Sequence, residues 1–258
     1  MDCKKVISFI TDWLTNYSVS SATHGYVIGI SGGIDSAVTS TLCALTGKQV
    51  IVLNMPIRQK EHEFDRSIEH ISWLKKHFNN VQSHTIDLTG PFESIERTFP
   101  SDIQDSLSMA NTRARLRMTT LYAFASHHRF LVAGTGNKVE DFGVGFFTKY
   151  GDGGVDVSPI ADLYKTQVYE LAKELNVPQS IQKAVPTDGL FPDSRSDEEQ
   201  IGATYPELEW AMEYLRKKET YQLTERQKEV LTIYKSRHNA NLHKSNPIPV
   251  CILPDELK

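Results

Sequence analysis

Apolar residues follow two patterns along the chain, and each pattern predicts one kind of element. Short continuous apolar runs predict buried strands at residues 26–28, 49–54, 83–88 and 130–133. Apolar residues at helical spacing predict helices, which begin with a stripe over 6–17 and continue at 36–45, 61–78, 106–127, 163–175, 208–215 and 224–234. Strands and helices therefore alternate through the first two thirds of the chain.

This alternation predicts an α/β fold with a doubly wound, mainly parallel sheet and helices on both faces, as in Rossmann-like proteins. Each strand–helix–strand unit has the spacing of a parallel pair joined by a crossover. Ligands in such sheets bind outside the carboxyl ends of the strands, so the turns at 31–36 and 134–140 should face one crevice. The chain has no internal repeat and no linker-like segment, and we predict one domain over residues 1–258.

Four segments do not fit the two patterns. Gly90-Pro91 is expected to break the chain, and the tail at 246–250 contains two prolines and cannot be helical. Residues 141–160 carry five glycines and little periodicity, and an irregular stretch of this length inside a compact domain usually has a functional reason. Residues 186–200 are polar and rich in turn-forming residues, which predicts a mobile loop.

Composition narrows the functional classes. The 258 residues are 40% hydrophobic and contain no run near the roughly 18 apolar residues of a membrane span, so no membrane association is predicted. The formal net charge of −4 gives no electrostatic reason for binding nucleic acid. Three widely spaced cysteines argue against a disulfide framework or a thiolate zinc site and favour a reducing cytoplasm.

Residues 29–36, Gly-Ile-Ser-Gly-Gly-Ile-Asp-Ser, lie between a predicted strand and a predicted helix. Adjacent glycines allow a sharp turn and the close approach of a ligand, and the helix N-terminus that follows favours a phosphate. Ser31 and Ser36 add hydroxyl donors. Asp35 would repel a phosphate unless a cation lies between them, so it implies Mg²⁺ with the nucleotide. The loop lacks the lysine of the common P-loop, and its glycines alone would equally fit a turn without a ligand.

Two further stretches place polar groups at the same edge of the sheet. Glu140 follows the last predicted strand and is positioned as a second carboxylate on the metal held by Asp35, with a solvated loop acid as the alternative. Residues 143–156 alternate glycines with aromatic residues, Lys149 and two aspartates, which fits a loop that stacks on a flat ring and holds an anionic group. The alternative is a structural loop whose Phe146 and Phe147 seal the core.

The hexapeptide Ser-Gly-Gly-Ile-Asp-Ser at 31–36 resembles the pyrophosphate loop of the N-type ATP pyrophosphatases, which activate carboxyl, carbonyl or amide oxygens by adenylation. Residues 146–156, Phe-Phe-Thr-Lys-Tyr-Gly-Asp-Gly-Gly-Val-Asp, resemble one family of that superfamily, the ammonia-dependent NAD synthetases. Further matches to this family lie, in family order, at 111–118, 163–165, 186–190, 196–198 and 243–244. Together the matches cover most of the chain.

The resemblance implies a ligase that joins ammonia to the nicotinate carboxylate of nicotinic acid adenine dinucleotide. The carboxylate would first form a mixed anhydride with AMP, so that ATP gives AMP and pyrophosphate and the product is NAD. A homodimer with the dinucleotide site at the subunit interface is also implied. The chain lacks the length for the nitrilase-like domain of glutamine-dependent relatives, so we expect free ammonia or a separate donor. The alternatives are the same chemistry on nicotinic acid mononucleotide and, more distantly, an RNA-modifying ATP pyrophosphatase or a non-catalytic nucleotide-binding module.

Position by position, the resemblance also implies roles for individual residues. The residues implied to bind ATP are Gly29, Ile30, Ser31, Gly32, Gly33, Ile34, Asp35, Ser36, Arg117, Thr135, Lys165 and Thr187. Asp35 and Glu140 would hold Mg²⁺, and Lys165 would act near the phosphates. The residues implied to bind the dinucleotide are Arg115, Lys149, Asp156, His243 and Lys244. Asp152 would position ammonia and accept its proton.

Three details restrict this transfer of roles. On a helix, Arg115 lies about 200° round from Arg117, so we predict that one faces the crevice and the other a neighbouring surface. Where many bacterial relatives carry an arginine after the second strand, this chain has Asn54, so no ATP-contacting arginine is assigned there. The spacing before the aromatic pair is one residue longer than in some relatives, so ring stacking is not assigned to Phe146 or Phe147 individually.

Overall fold

The chain is built around a four-stranded sheet in which all strands are parallel, in the order β3-β2-β1-β4. The computed structural model describes residues 1–59, 61–186, 196–218 and 221–258, and in 61–63 the backbone alone. The strands are β1 (Gly25–Gly29), β2 (Gln49–Asn54), β3 (Val81–Thr85) and β4 (Leu131–Val132). β1 lies inside the sheet, with Val27 opposite Ile51 of β2 and Val132 of β4. The predicted parallel α/β sheet is confirmed.

The strand ends differ slightly from the prediction. β3 begins two residues earlier than predicted and ends at Thr85, shortly before the next helix begins at Thr89. β4 is only two residues long, but Ala133 continues its line and forms a parallel bridge with Val157. This bridge brings the end of the glycine-rich stretch to the carboxyl edge of the sheet.

Within the described residues, ten α-helices surround the sheet. They are α1 (Cys3–Ser20), α2 (Ile34–Leu45), α3 (Glu61–His77), α4 (Thr89–Thr98), α5 (Ser106–His128), α6 (Lys165–Glu174), α7 (Gln179–Gln182), α8 (Asp197–Ile201), α9 (Tyr205–Lys217) and α10 (Glu225–Ser245). Short 3₁₀ turns lie at Ser101–Ile103 and Asp255–Leu257. All seven predicted helices are present, and α10 extends eleven residues beyond its predicted end at residue 234. No helix in these parts of the chain is long and apolar enough to cross a membrane.

The prediction that Gly90-Pro91 breaks the chain is wrong, because α4 begins at Thr89. The Asp87 carboxylate accepts the N–H of Thr89 at 2.8 Å at the start of this helix. Pro91 lies in the first turn, where an N–H would have no partner within the helix in any case. Phe92 is fully buried and packs α4 against the sheet.

The predicted mobile loop at 186–200 is wrong for residues 197–200, which belong to α8. Ser196 and Glu199 form a reciprocal cap: the Ser196 hydroxyl accepts the Glu199 N–H at 3.2 Å, and the Glu199 carboxylate accepts the Ser196 N–H at 2.7 Å. This capping box is a recognised sequence signal for a helix start. Residues 187–195 lie outside the described residues.

Helices cover both faces of the sheet because successive residues of a strand point to opposite sides. On one side, Tyr26 and Ile28 of β1 pack in a cluster with residues of α1, α2, α3, α6 and α7. On the other side, Val27 packs with residues of α4 and α5. Fully burying one large apolar side chain stabilises the fold by about 1.5–3 kcal/mol. The two layers therefore hold the carboxyl ends of the strands, and the turns that leave them, in fixed positions.

A third cluster lies beyond the sheet and joins α8, α9 and α10 to a π-helical turn at Val139–Val144. The turn ends at Gly145, whose φ is 64°, and a Cβ there would lie 2.3 Å from the Cβ of Asn241. The Asn241 amide donates to the carbonyl of Val144 at 3.0 Å. α10 therefore holds the turn that carries Glu140, at the start of the stretch predicted to be irregular.

Candidate functional site

The carboxyl ends of the strands open into a crevice with a cavity volume of about 290 Å³. The two turns predicted to face one crevice, at 31–36 and 134–140, both contribute to its lining. Every described residue that the sequence implies for ATP lines it: residues 29–36, Arg117, Thr135 and Lys165. Glu140, Asp152, Phe146 and Phe147 line it as well. Thr187 lies outside the described residues.

Glycines and serines shape the loop at 29–36. Gly32 has a φ of 83°, in the left-handed region that favours glycine. The Ser31 hydroxyl accepts the N–H of Gly33 at 3.2 Å and lies 3.2 Å from the Ser36 hydroxyl, which donates to the Gly33 carbonyl at 3.0 Å. Gly33 is the N-cap of α2 and has no side chain to bond to the first N–H groups of the helix. The first N–H groups of α2 can therefore bind an anionic group in the crevice.

Two carboxylates and one ammonium group meet beside this loop, and we call them the ion triad: Asp35, Lys165 and Glu140. Lys165 Nζ lies 2.6 Å from Asp35 Oδ2 and 3.0 Å from Glu140 Oε1. The exposed fractions of the side chains are 4% for Lys165, 17% for Asp35 and 16% for Glu140. Such buried ion pairs add little net stability, because desolvation offsets much of the attraction. A buried charge cluster in a crevice is therefore better explained by function than by folding.

The charges of the triad change one another's proton affinity. Burial raises the pKa of Asp35, and the attraction of Lys165 offsets this only in part. Burial also disfavours ionised Glu140, but Lys165 and a hydrogen bond from Tyr205 outweigh it and hold the pKa of Glu140 below its usual value. Burial disfavours the Lys165 ammonium, yet the two carboxylates together raise its pKa. With all three groups ionised, the triad carries one excess negative charge.

Three residues that complete this network are absent from the predicted site residues. Asn137 is fully buried; its amide nitrogen donates to Asp35 Oδ1 at 3.1 Å, and its amide oxygen accepts the N–H of Glu140 at 3.2 Å. The Tyr205 hydroxyl donates to Glu140 Oε1 at 2.6 Å and lies 3.3 Å from Asp197 Oδ2. Asn137 lies in the turn at 134–140, which is predicted to face the crevice, and Asp197 lies in the motif at 196–198, so both positions carry a usable signal. Tyr205 lies in none of these motifs, so no sequence pattern marks it.

The residues of the triad fit the implied Mg²⁺. Asp35 and Glu140 each place one oxygen within 3.0 Å of the same Lys165 nitrogen, so the two carboxylates lie close enough together to share a small cation. Among the described residues, no group of three or more acidic, histidine or cysteine side chains is placed to hold a metal. Mg²⁺ typically binds one or two carboxylates together with phosphate oxygens and water. The donor set therefore suits a cation that arrives with a nucleotide.

Two further aspartates line the crevice with raised proton affinity. Burial raises the pKa of Asp141 to about 8, and the nearby charges of Glu140 and Asp152 add to this effect. Burial raises the pKa of Asp152 as well, against the opposing effect of the Thr148 N–H that its carboxylate accepts at 2.8 Å. Asp152 is nonetheless exposed to solvent at the crevice. A reachable carboxylate with a raised pKa is a better proton acceptor than an ordinary carboxylate.

The residues implied to bind the dinucleotide do not line the crevice. We call them the outer group: Arg115, Lys149, Asp156, His243 and Lys244. Exposed Arg115 on α5 donates to the Lys149 carbonyl at 3.3 Å. Lys149 Nζ donates to the carbonyl of exposed His243 on α10 at 2.7 Å. These contacts join α5 to α10 through the glycine-rich loop.

The remaining members of the outer group also have backbone partners. Lys244 Nζ donates to two loop carbonyls, at residues 145 and 147, both at 2.9 Å. Burial lowers the pKa of Lys244. The Asp156 carboxylate accepts the hydroxyl of Tyr122 at 3.0 Å and the N–H of Val132 at 2.8 Å. Both side chains therefore support the loop and β4 in this structure.

The two arginines of α5 face different surroundings, in line with helical geometry. Arg117 lines the crevice, and its Nε donates to the Met55 carbonyl at 3.0 Å. Arg115 lies on the outside beside Lys149. A single helix thus supplies one arginine to the crevice and one to the outer surface.

A parallel sheet with helices on both faces, a glycine-rich loop after an inner strand and buried carboxylates beside that loop define an α/β nucleotide-binding protein. Comparison with known proteins narrows this class, since the family model described as NAD synthase matches residues 6–247. The chain belongs to the NAD synthase family, and the family predicted from the motifs is confirmed.

Individual relatives agree with this family over nearly their full lengths. The NH₃-dependent NAD⁺ synthetase of Mycoplasma genitalium is 39% identical over 92% of this chain and 93% of its own. The structure of NMN synthetase from Francisella tularensis matches with a TM-score of 0.84 and 31% identity, over 99% of both chains. The NH₃-dependent NAD synthetase from Campylobacter jejuni, solved with nitrate, matches with a TM-score of 0.80 and 25% identity, over 98% of this chain and 100% of the other.

Proposed function

We propose that this protein is an ammonia-dependent NAD synthetase. It is a ligase that uses ATP to join ammonia to the nicotinate carboxylate of nicotinic acid adenine dinucleotide, giving NAD, AMP and pyrophosphate. The ion triad beside the loop at 29–36 is the observation that carries the proposal, because it places an ammonium group and two carboxylates where ATP phosphates would bind. Family membership and curated relatives named for this activity support it.

The first step activates the carboxylate, because an ionised carboxylate is a poor electrophile. One of its oxygens attacks the α-phosphorus of ATP, the bond to the bridging oxygen of the β-phosphate breaks, and pyrophosphate leaves. The first N–H groups of α2 and the Lys165 ammonium stabilise the charge that builds on the phosphates. Asp35 and Glu140 would hold Mg²⁺, which would neutralise phosphate oxygens further. Arg117, Thr135 and Thr187 bind other parts of ATP.

The second step forms the amide. The nitrogen of ammonia attacks the carbonyl carbon of the mixed anhydride, and AMP leaves with the bond between carbon and phosphate oxygen broken. Ammonia is largely protonated at neutral pH, so a base must take a proton before or during the attack. Asp152 takes this role, supported by its raised pKa and its exposure at the crevice.

The outer group binds the dinucleotide between two copies of the chain. Its position outside the crevice supports this arrangement, since a second copy packed there would enclose a substrate that the described residues of one copy leave exposed. Sedimentation at assay concentration should give the mass of two copies, and a fully active monomer would contradict it.

The three cysteines, all within the described residues, form no disulfide, which fits the predicted cytoplasmic location.

The same chemistry on nicotinic acid mononucleotide is the alternative. It corresponds to the name of the Francisella structure, at 31% identity. The curated relatives, at 34–39% identity, are named for NAD and favour the dinucleotide. An RNA-modifying enzyme or a non-catalytic module is not favoured, because the family match spans residues 6–247.

The test combines the protein with Mg-ATP, ammonium chloride and either nicotinic acid adenine dinucleotide or nicotinic acid mononucleotide. We expect NAD, AMP and pyrophosphate in equal amounts, with a higher kcat/KM for the dinucleotide. Formation of ADP and inorganic phosphate, or no turnover of either substrate, would overturn the proposal. A higher kcat/KM for the mononucleotide would show that the mononucleotide, and not the dinucleotide, is the preferred substrate.

A further inference from the structure

Tyr205 contacts two members of the ion triad from a helix remote in sequence. It is the first residue of α9, and 3% of it is exposed. Its hydroxyl donates to Glu140 Oε1 at 2.6 Å, and Lys165 Nζ lies 4.8 Å from the centre of its ring. We infer that Tyr205 is a positioning residue of the proposed ligase and that its hydroxyl fixes the Glu140 carboxylate for the cation that accompanies ATP. The inference rests on the role proposed for Glu140.

The geometry explains how one hydroxyl can fix a carboxylate. Lys165 Nζ, at 3.0 Å, and the Tyr205 hydroxyl, at 2.6 Å, both reach the same oxygen of Glu140, Oε1. Two donors on one oxygen restrict rotation of the carboxylate about its last carbon–carbon bond. The other oxygen, Oε2, is then presented in a constant direction. Without the hydroxyl, only Lys165 of these two donors would remain on Oε1, and Lys165 also holds Asp35.

The Tyr205 hydroxyl also lies near a third carboxylate, that of Asp197, so the acceptor of its single proton has to be identified. Tyr205 lies 2.6 Å from Glu140 Oε1 but 3.3 Å from Asp197 Oδ2. A phenol has one proton to donate, and the shorter contact is the better hydrogen bond. Glu140 is therefore the acceptor.

The position of the Tyr205 backbone does not depend on this hydroxyl. The Tyr205 N–H donates to the Glu198 carboxylate at 2.8 Å, and a capping box between Thr204 and Glu207 starts α9. The ring packs in the apolar cluster of α9 and α10. Replacement by phenylalanine therefore removes the bond to Glu140 and keeps the helix and the ring.

The test compares Tyr205→Phe with Tyr164→Phe as a matched control. Tyr164 makes an equally short bond, 2.6 Å, to a different glutamate, Glu213, and does not line the crevice. Each variant is measured for cooperative melting, for KM and kcat of the dinucleotide, and for the half-saturating Mg²⁺ concentration. Mn²⁺ binding in the presence of a non-hydrolysable ATP analogue, followed by electron paramagnetic resonance, gives a readout that needs no turnover.

For Tyr205→Phe we expect a cooperative melt, an unchanged KM for the dinucleotide, a fall of about tenfold in kcat and a rise of about tenfold in half-saturating Mg²⁺. Mn²⁺ should bind about tenfold more weakly than to the wild type, and Tyr164→Phe should change none of these values. In a Glu140→Gln background, Tyr205→Phe should have no further effect on Mn²⁺ binding.

Equal Mn²⁺ affinity in Tyr205→Phe and the wild type would overturn the inference. Loss of the cooperative melt would also overturn it, since the hydroxyl would then support the fold rather than one carboxylate. If the wild type makes no NAD in the same assay, the proposed function fails. The Mn²⁺ comparison then still decides the role of Tyr205.

Discussion

The residues implied for ATP and those implied for the second substrate have different surroundings. The described members of the first set converge in one crevice of a single chain, around the ion triad and the loop at 29–36. The outer group lies on α5, α10 and the glycine-rich loop, and its side chains are exposed or bonded to loop and strand backbone. The half of the site proposed for adenylation is thus assembled within one chain, whereas the described residues of one chain do not enclose the half proposed for the dinucleotide. A homodimer with a shared substrate site would produce this contrast.

The largest effect is expected for Lys165→Met, which leaves two buried carboxylates without their counter-charge. Unpairing a buried charge costs about 3–5 kcal/mol, so the free energy of unfolding should fall by that order. Turnover should fall by about 10³-fold, because the ammonium near the phosphates is lost. Urea denaturation and the NAD assay measure the two effects.

Lys138→Met is the control for this change. Lys138 pairs at 2.8 Å with Asp162, whose side chain is 96% exposed, so its loss should leave stability and turnover near wild type. Because a divalent cation can replace the ammonium between two carboxylates, Mg²⁺ should stabilise Lys165→Met more than it stabilises the wild type. A variant as stable as the wild type would contradict the buried-charge description of the crevice.

Asp35→Asn should have the next largest effect. It should lower turnover and leave the stability of the fold unchanged. The substitution keeps the shape and leaves Lys165 paired with Glu140, so the protein should still melt cooperatively. Loss of one carboxylate from the proposed Mg²⁺ site should lower kcat by about 10²-fold. Steady-state kinetics beside a thermal melt provide the measurement. Wild-type kcat with an intact melt would refute the metal role of Asp35.

The contrast between the two sets also bears on what the sequence can predict. Asp35 and Glu140 belong to the segments that leave β1 and β4 at the carboxyl edge of the sheet, so strand periodicity and local motifs predicted that both would line the crevice. Tyr205 meets Glu140 across 65 residues of chain, and no local pattern records such a contact. Contacts that depend on how distant helices pack become visible only in the folded molecule.

α10 is longer than predicted, and the reason is a second limit on what a sequence pattern can predict. Its second half packs on the π-helical turn through polar contacts: His238 bonds to the Gly143 carbonyl at 2.8 Å, and Asn241 and Lys244 bond to the carbonyls of the next two residues. Hydrophobic periodicity marks only helices with an apolar buried face. The prediction therefore ended at residue 234, eleven residues before the helix does.

The two arginines of α5 give a direct test of the division between the two sets. Arg115→Ala should raise KM for the dinucleotide about tenfold and leave KM for ATP unchanged, and Arg117→Ala should do the reverse. A hydrogen bond to a charged group contributes about 1.5 kcal/mol or more, which corresponds to this factor. Steady-state kinetics with each substrate varied in turn provide the measurement. If both variants changed the same KM, the two residues would serve one pocket and the division would fail.

The smallest effect is expected for Asp156→Asn, in the outer group. Its carboxylate already accepts the Tyr122 hydroxyl and the Val132 N–H, and asparagine keeps only one acceptor oxygen. We expect a loss of about 0.5–1 kcal/mol in unfolding free energy and a rise of about threefold in KM for the dinucleotide, a small part of the effect of one charged hydrogen bond. Tyr122→Phe removes one structural bond and keeps the carboxylate, so it should reproduce the loss of stability without the change in KM. If the two variants had the same KM, Asp156 would only support β4, and the dinucleotide would be held by the other four residues of the outer group.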